Sequence, residues 1–279
     1  MCLSDYLFSH YILMNLKPYK IVVFDLDETL GYFKQIGVFW NILQKYYKKN
    51  FTQDFFTKFL DLYPEILRPN IVPILHYLKL KKREKRCYRV MIYTNNQAPK
   101  QWCEMIKTYF DSKVKYKLFD KIIRAFKING KVIEVNRTTT QKTVDDFFKC
   151  TKLPKSTEIC FIDDNYFDKM NNDNVYYVHL KSYVYTIPNK EVIERFFSSN
   201  IGKSLEKKVN NDPNNILRLL NRNFDSKNHD EIEYELHRII SKKIMYHLQI
   251  FFKNSLNNNN TRKTKNKKNY KNKTIKFYQ

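Results

Sequence analysis

Four short apolar runs constrain this chain most. KIVVFD (20–25), YRVMIYT (88–94), EICFID (158–163) and VYYVHL (175–180) are rich in β-branched and aromatic residues. Runs that stay apolar, rather than alternating with polar residues, belong in strands buried on both faces, hence in a parallel sheet. Between them the spacing turns helical. Phe39, Ile42, Leu43 and Tyr46 share one face within 38–62, and helices are predicted over 70–80 and 97–110. Another is predicted from a cap at Thr139 or Thr140 to about Cys150. The predicted fold class is therefore α/β, a doubly wound parallel sheet with helices on both faces. Asn129-Gly130, between the β-rich halves of 119–136, predicts a β-hairpin inserted into that sheet.

After the sheet the chain reads as helical. A short helix is predicted over 189–199. A longer one over 229–253 has Ile232, Leu236, Ile239, Ile240, Met245 and Leu248 at helical spacing. The expected organisation is an N-terminal extension (1–19), one α/β domain (20–199), a helical extension (200–253) and a tail (254–279). The tail is Lys- and Asn-rich without acids, so it is predicted to be disordered. Within the domain, 31–66 is an aromatic, helical insertion after the first strand, a modest lid too short to seal a site.

In an open parallel sheet, ligands bind at the carboxyl ends of the strands. Here those ends carry Asp25 and Asp27, then Thr94, then Asp163 and Asp164. Carboxylates crowded at strand mouths repel one another, and a cation is the natural counterweight. The donors are hard oxygens with no His or Cys beside them, so Mg²⁺ is the favoured ion. With four glycines in the chain, no GxGxxG loop exists, and GKS at 202–204 lacks the glycine and the strand that a P-loop needs.

These residues resemble a known family. DLDETL (25–30) matches the DxDxT signature of the haloacid dehalogenase (HAD) superfamily. Together with LRPNI (67–71), MIYTNN (91–96) and CFIDDN (160–165), it resembles the phosphatases similar to NLI-interacting factor, which include those of the RNA polymerase II C-terminal domain. The resemblance covers roughly residues 20–185. It implies an HAD-like sheet with a small antiparallel insertion where 119–136 falls. It also implies a hydrolase that forms an aspartyl phosphate. Asp25 would be the nucleophile, Asp27 the general acid and base, and Thr94 a phosphoryl ligand. A lysine would neutralise charge; Lys142, opening a later helix, is chosen over Lys127, Lys131 and Lys149. Mg²⁺ would be held by Asp25, the Asp27 carbonyl and Asp163, with Asp164 bound through water or in support. Arg68 reads as a surface residue and Thr29 as a turn cap. Asn95 and Asn96 depart from the family's small residues beside the phosphate.

The expected activity is Mg²⁺-dependent hydrolysis of phosphoserine or phosphothreonine in a protein. The alternatives are a polynucleotide or nucleotide phosphatase, and a catalytically idle phosphate-binding module. The net charge of +23 favours anionic partners, nucleic acid among them through the basic tail. Five scattered cysteines without a CxxC pair suggest a reducing compartment. Residues 1–16 lack the basic start of a signal peptide and no run is long enough to span a membrane. An intracellular setting is expected, cytoplasmic or nuclear, in a host cell should the AT-rich coding reflect a virus.

Overall fold

The computed structural model describes residues 18–206, 212–226, 231–254 and 275–276. Strand β1 (Lys20–Phe24) leads to helices α1 (Lys34–Tyr46), α2 (Gln53–Leu60) and α3 (Ile71–Arg83), then β2 (Arg89–Tyr93), α4 (Lys100–Lys113) and β3 (Phe119–Ile123). A two-stranded ribbon, β4 (Lys127–Ile128) and β5 (Lys131–Val132), precedes α5 (Val144–Thr151), β6 (Glu158–Asp163) and β7 (Val175–His179). Helices α6 (Asn189–Ser198), α7 (Asn200–Glu206), α8 (Pro213–Asn223) and α9 (Glu231–Lys253) follow, then a two-residue strand, β8 (Ile275–Lys276).

The sheet runs in the order β3-β2-β1-β6-β7-β8 and every pairing in it is parallel. The α/β class with helices on both faces is thus as expected. The chain winds outward from β1 to β3, then crosses back to β6 on the other side of β1. The direction of winding reverses between β1 and β6, which opens a crevice at their carboxyl ends. Phe24 pairs with Ile162, so Asp25 and Asp163 stand side by side at that crevice.

Alternate residues of β1 serve opposite cores, as the pleat requires. Val22 and Phe24 face a large core built with α1 to α4 and the C-terminal helices. Ile21 and Val23 face a smaller one, closed by Phe147 of α5 and by Phe161 and Tyr177 of the sheet itself. Cys87, Cys103, Cys150 and Cys160 are buried free thiols.

Several expectations change. The first half of 119–136 is not a hairpin arm but β3, an edge strand of the main sheet. Its Asp120 and Lys121 hid it. Asp120 fills a register shift by accepting from the Val90 N–H at 2.9 Å, and it pairs with Lys82 at 2.7 Å. The hairpin shrinks to β4–β5, though its turn is the expected one: Asn129 (φ 49°) and Gly130 (φ 77°) both take the left-handed conformation. The cap of α5 is Thr143, which accepts from the Asp146 N–H at 3.0 Å, not Thr139 or Thr140. The 31–66 segment is no lid. Phe39, Trp40, Leu43, Phe56 and Phe59 are buried in the large core, so α1 and α2 form a fixed wall.

The boundary expected at 199/200 has no counterpart in the packing. A Cβ on Gly202 would run into the Phe196 carbonyl oxygen, so α6 and α7 touch backbone to backbone. Helix α9 joins the same core through Ile240, Ile244, Leu248 and Phe251, while Ile232 and Ile239 face solvent. On the buried side of the helix His237 meets Tyr183 and Arg68. The expected extension 1–19 and tail 254–279 lie outside the described residues apart from 18, 19, 254 and β8. Among the described residues no helix is long and apolar enough to cross a membrane.

Candidate active site

The β1 carboxyl end turns sharply. Glu28 adopts φ 62°, its N–H donates to the Gly31 carbonyl at 2.8 Å, and Leu30 N–H donates to Leu26 at 3.0 Å. This loop aims Asp25 and Asp27 at the crevice. Asp25 N–H donates to the Ile162 carbonyl at 2.9 Å, extending the β1–β6 ladder to the nucleophile candidate itself.

Lys142 lies one residue before the α5 cap and is buried. Its ammonium donates to Asp25 Oδ1 and, at 2.7 Å, to Asp163 Oδ2. Burial alone would depress its pKa, but Asp163 and Asp25 outweigh that and hold it above the ordinary lysine value. Burial pushes Asp25 up; Lys142 opposes this and Asp164 adds to it. Burial raises Asp163 well above the usual carboxylate range, again against Lys142 and with Asp25. One ammonium thus faces three buried carboxylates.

Oxygens of Asp25, Asp163 and Asp164 lie within 4.8 Å of one another, a spacing that can hold a metal ion. The donor set and the excess negative charge fit a hard divalent cation such as Mg²⁺. Asp164 is the most tightly held of the three. It accepts from Thr29 Oγ1 at 2.8 Å, Ser182 Oγ at 2.9 Å and Asn165 Nδ2 at 3.1 Å. Thr29 therefore does more than cap a turn: it ties the β1 loop to the β6 loop, and its hydroxyl also accepts from the Asp164 N–H at 3.1 Å.

Asp27 stands apart from this cluster; its carboxylate turns to Asn96, whose Nδ2 donates to Oδ2 at 2.6 Å. Burial, opposed by that hydrogen bond and reinforced by Asp25 and Glu28, pushes its pKa up to about 7. A carboxyl poised near neutrality can both give and take a proton. Thr94 is buried at the end of β2, and its Oγ1 accepts from the Asn96 N–H at 3.0 Å. All the residues expected at the site thus converge: Asp25, Asp27, Thr94 and Lys142, with Asp163 and Asp164. Lys127 and Lys131 lie on the small ribbon, and Lys149 pairs with Asp146 at 3.6 Å.

Two arginines correct the sequence reading. Arg68 is buried, not at the surface. It donates to the carbonyls of Glu28 (2.6 Å), Thr29 (2.7 Å) and Lys181 (2.8 Å), and to His237 Nδ1 at 3.1 Å. A guanidinium only donates, so Nδ1 accepts and the imidazole proton sits on Nε2. Arg137 carries no local sequence signal and is buried as well. It lies buried over the Tyr93 ring at 4.9 Å and donates to the carbonyls of Thr94 (3.2 Å), Arg124 (2.7 Å) and Thr140 (3.0 Å), and to Asn95 Oδ1 (2.8 Å). It binds the end of β2 to the segment that delivers Lys142. Only the dipeptide Arg68-Pro69 before a helix hinted at the first arginine; nothing local marked the second.

From the carboxylates a cleft of about 850 Å³ opens between α1 and the start of α4. Lys34, Gly37, Val38, Asn41 and Gln44 line one side at helical spacing, and Gln97, Gln101 and Trp102 line the other. Comparison of the chain with protein-family models, with curated proteins and with solved structures finds no match.

Proposed function

We propose that this chain is a Mg²⁺-dependent phosphatase of the HAD type, related to the NLI-interacting factor-like enzymes, that hydrolyses phosphoserine or phosphothreonine in a protein. The observation that carries the reading is a pair of aspartates two residues apart with different partners, Asp25 on the Lys142 ammonium and Asp27 on the Asn96 carboxamide. Asp25 is held by Lys142 at the centre of the sheet, and Asp27, two residues on, has its pKa pushed up to about 7. An Asp25 carboxylate oxygen attacks phosphorus while the ester P–O bond breaks. Asp27 gives its proton to the departing alkoxide. Water then attacks the phosphoryl group and loses a proton to Asp27. The bond from phosphorus to Asp25 breaks, and inorganic phosphate leaves. Lys142 offsets charge on the nucleophile and phosphoryl oxygens, and the Thr94 hydroxyl donates to one of them. Asp25, Asp163 and Asp164 would hold Mg²⁺, which would supply further neutralisation of the phosphoryl charge.

The cleft favours an extended peptide over a polynucleotide. Its lining is dominated by carboxamides and aromatic rings, with Lys34 and Lys142 as its cations. Carboxamides can pair with a peptide backbone, whereas successive nucleic-acid phosphates need cations along the path. The test is hydrolysis of an aryl phosphate with and without Mg²⁺, for the native chain and Asp25→Asn, followed by phosphopeptides. Mg²⁺-dependent turnover that disappears in a folded Asp25→Asn variant is expected. A folded, Mg²⁺-binding native chain inert on aryl phosphate, phosphopeptides and phosphorylated oligonucleotides would overturn the reading.

A further inference from the structure

We propose a second functional face, independent of the catalytic reading: a single-stranded nucleic-acid binding surface along the amino edge of the sheet, opposite the carboxylates. In a parallel sheet every helix-to-strand turn lies at that edge. Here those turns are strongly basic. The end of α3 and the turn into β2 carry Arg83, Lys85, Arg86 and Arg89, and the turn into β3 carries Lys115 and Lys117. The two turns are joined: Lys82 donates to the Leu118 carbonyl at 2.9 Å and lies over the Tyr116 ring.

Glu84 and Asp120, the acids beside these basic turns, are already engaged. Glu84 pairs with Lys81 at 2.7 Å and Asp120 with Lys82 at 2.7 Å. Among the described residues, Arg83, Lys85, Lys115 and Lys117 form no ion pair. Their charge is directed at solvent, while the opposite edge of the same sheet gathers carboxylates.

Charge alone would suit any polyanion. The rings narrow the choice. Tyr19 and Tyr88, each preceding a strand, stack at 4.2 Å with planes 17° apart. They remain 47% and 42% exposed. The Arg89 guanidinium lies 4.9 Å from the Tyr88 ring. A backbone hydrogen bond from Tyr88 N–H to the Lys20 carbonyl, at 2.7 Å, fixes the two turns side by side. An exposed aromatic stack, with Tyr88 on the same helix-to-strand turn as Arg83 and Lys85, offers a ring face to an unpaired base and charge to its neighbouring phosphates. A duplex hides its base faces and gains nothing from the stack.

The C-terminal helix reaches the same edge. Helix α9 ends there, with Lys20 donating to the Phe251 and Asn254 carbonyls and Arg86 to Phe252 at 2.7 Å. The sequence after Asn254 is Lys-rich over 262–273.

The test is fluorescence anisotropy of a labelled mixed-sequence RNA of about 12 nucleotides, over a series of salt concentrations, with the full chain. Arg83→Glu with Lys85→Glu should weaken binding about tenfold or more and flatten the salt dependence. Tyr19→Ala with Tyr88→Ala should weaken it about fivefold or more, with Tyr88→Phe near native. Thermal melts identify any variant that is not folded, and Arg83→Gln with Lys85→Gln then replaces a charge reversal that fails to fold. Native affinity in the folded variants would place binding elsewhere and overturn the proposal. So would charge dependence without ring dependence. Patch-dependent binding to phosphatidylserine vesicles, with no binding to the RNA, would assign the face to a membrane surface and overturn it too.

Discussion

Replacing Arg68 by methionine keeps most of the buried volume but removes every donor it presents. The consequences can be worked from its partners. The Glu28 carbonyl retains a second donor, the Tyr183 N–H at 2.8 Å. The Thr29 and Lys181 carbonyls and His237 Nδ1 lose the guanidinium that serves them. Leaving a buried acceptor unsatisfied costs about 1–3 kcal/mol. With partial relaxation and water entry, the total is about 3–5 kcal/mol. For a domain of this size that is a fall in Tm of about 6–20 °C. The same substitution frees the Asp25–Leu30 loop at Glu28 and Thr29, so turnover of an aryl phosphate should fall by about tenfold or more, beyond any loss of folded protein. Arg68→Lys should recover little, since an ammonium cannot span carbonyls on two loops. Scanning calorimetry and turnover measured well below Tm separate the two effects. A Tm within 2–3 °C of native, about 1 kcal/mol, would refute the reasoning.

Other expectations are equally direct. In the proposed mechanism Asp27 must start protonated, so kcat/KM should fall as pH rises through about 7. Asp27→Asn should remove that limb along with about 10²–10⁴ of the rate. The same group affects stability. Between about pH 4 and about pH 7 the folded chain holds a proton that the unfolded chain has released, so metal-free stability contributed at pH 5 is lost as pH rises through about 7. Melts in chelator across that range, on native and Asp27→Asn, check the sign. Mg²⁺ at about 100 times its Kd should stabilise by about 2.7 kcal/mol, raising Tm by about 5–10 °C. That shift should vanish in Asp163→Asn; a full shift in the variant would refute the metal assignment. Finally, a side chain at Gly37 meets the Trp102 ring at 3.1 Å, so Gly37→Val should narrow the cleft. It should raise KM for phosphopeptides while leaving aryl phosphate kcat within about twofold, as expected for an effect on uniform binding.

What was legible in the sequence follows the range of the interactions. A strand apolar on both faces announces its own burial, so β1, β2, β6 and β7 could be read locally. Sites collect where such strands end, so Asp25, Asp27, Thr94, Asp163 and Asp164 could be read with them. β3 escaped because it is an edge strand: only one side is paired, and Asp120 replaces a ladder bond with its own carboxylate. A polar residue that mends the sheet looks in sequence like one that ends it. Helix α9 was legible as a helix but not in its facing, since Ile232 and Ile239 carry the right periodicity yet point to solvent. The buried side also holds His237, whose polar contact with Arg68 spans 169 positions and leaves no mark in the local periodicity. Arg68 and Arg137 show the same limit at the site. Composition places arginine at the surface, and that prior fails only where several carbonyls from different loops meet. Glu28, Thr29 and Lys181 meet at Arg68; Thr94, Arg124 and Thr140 meet at Arg137. The acids that would do chemistry can thus be read from strand ends. The cations that hold those ends in register become visible only when the strands have been brought together.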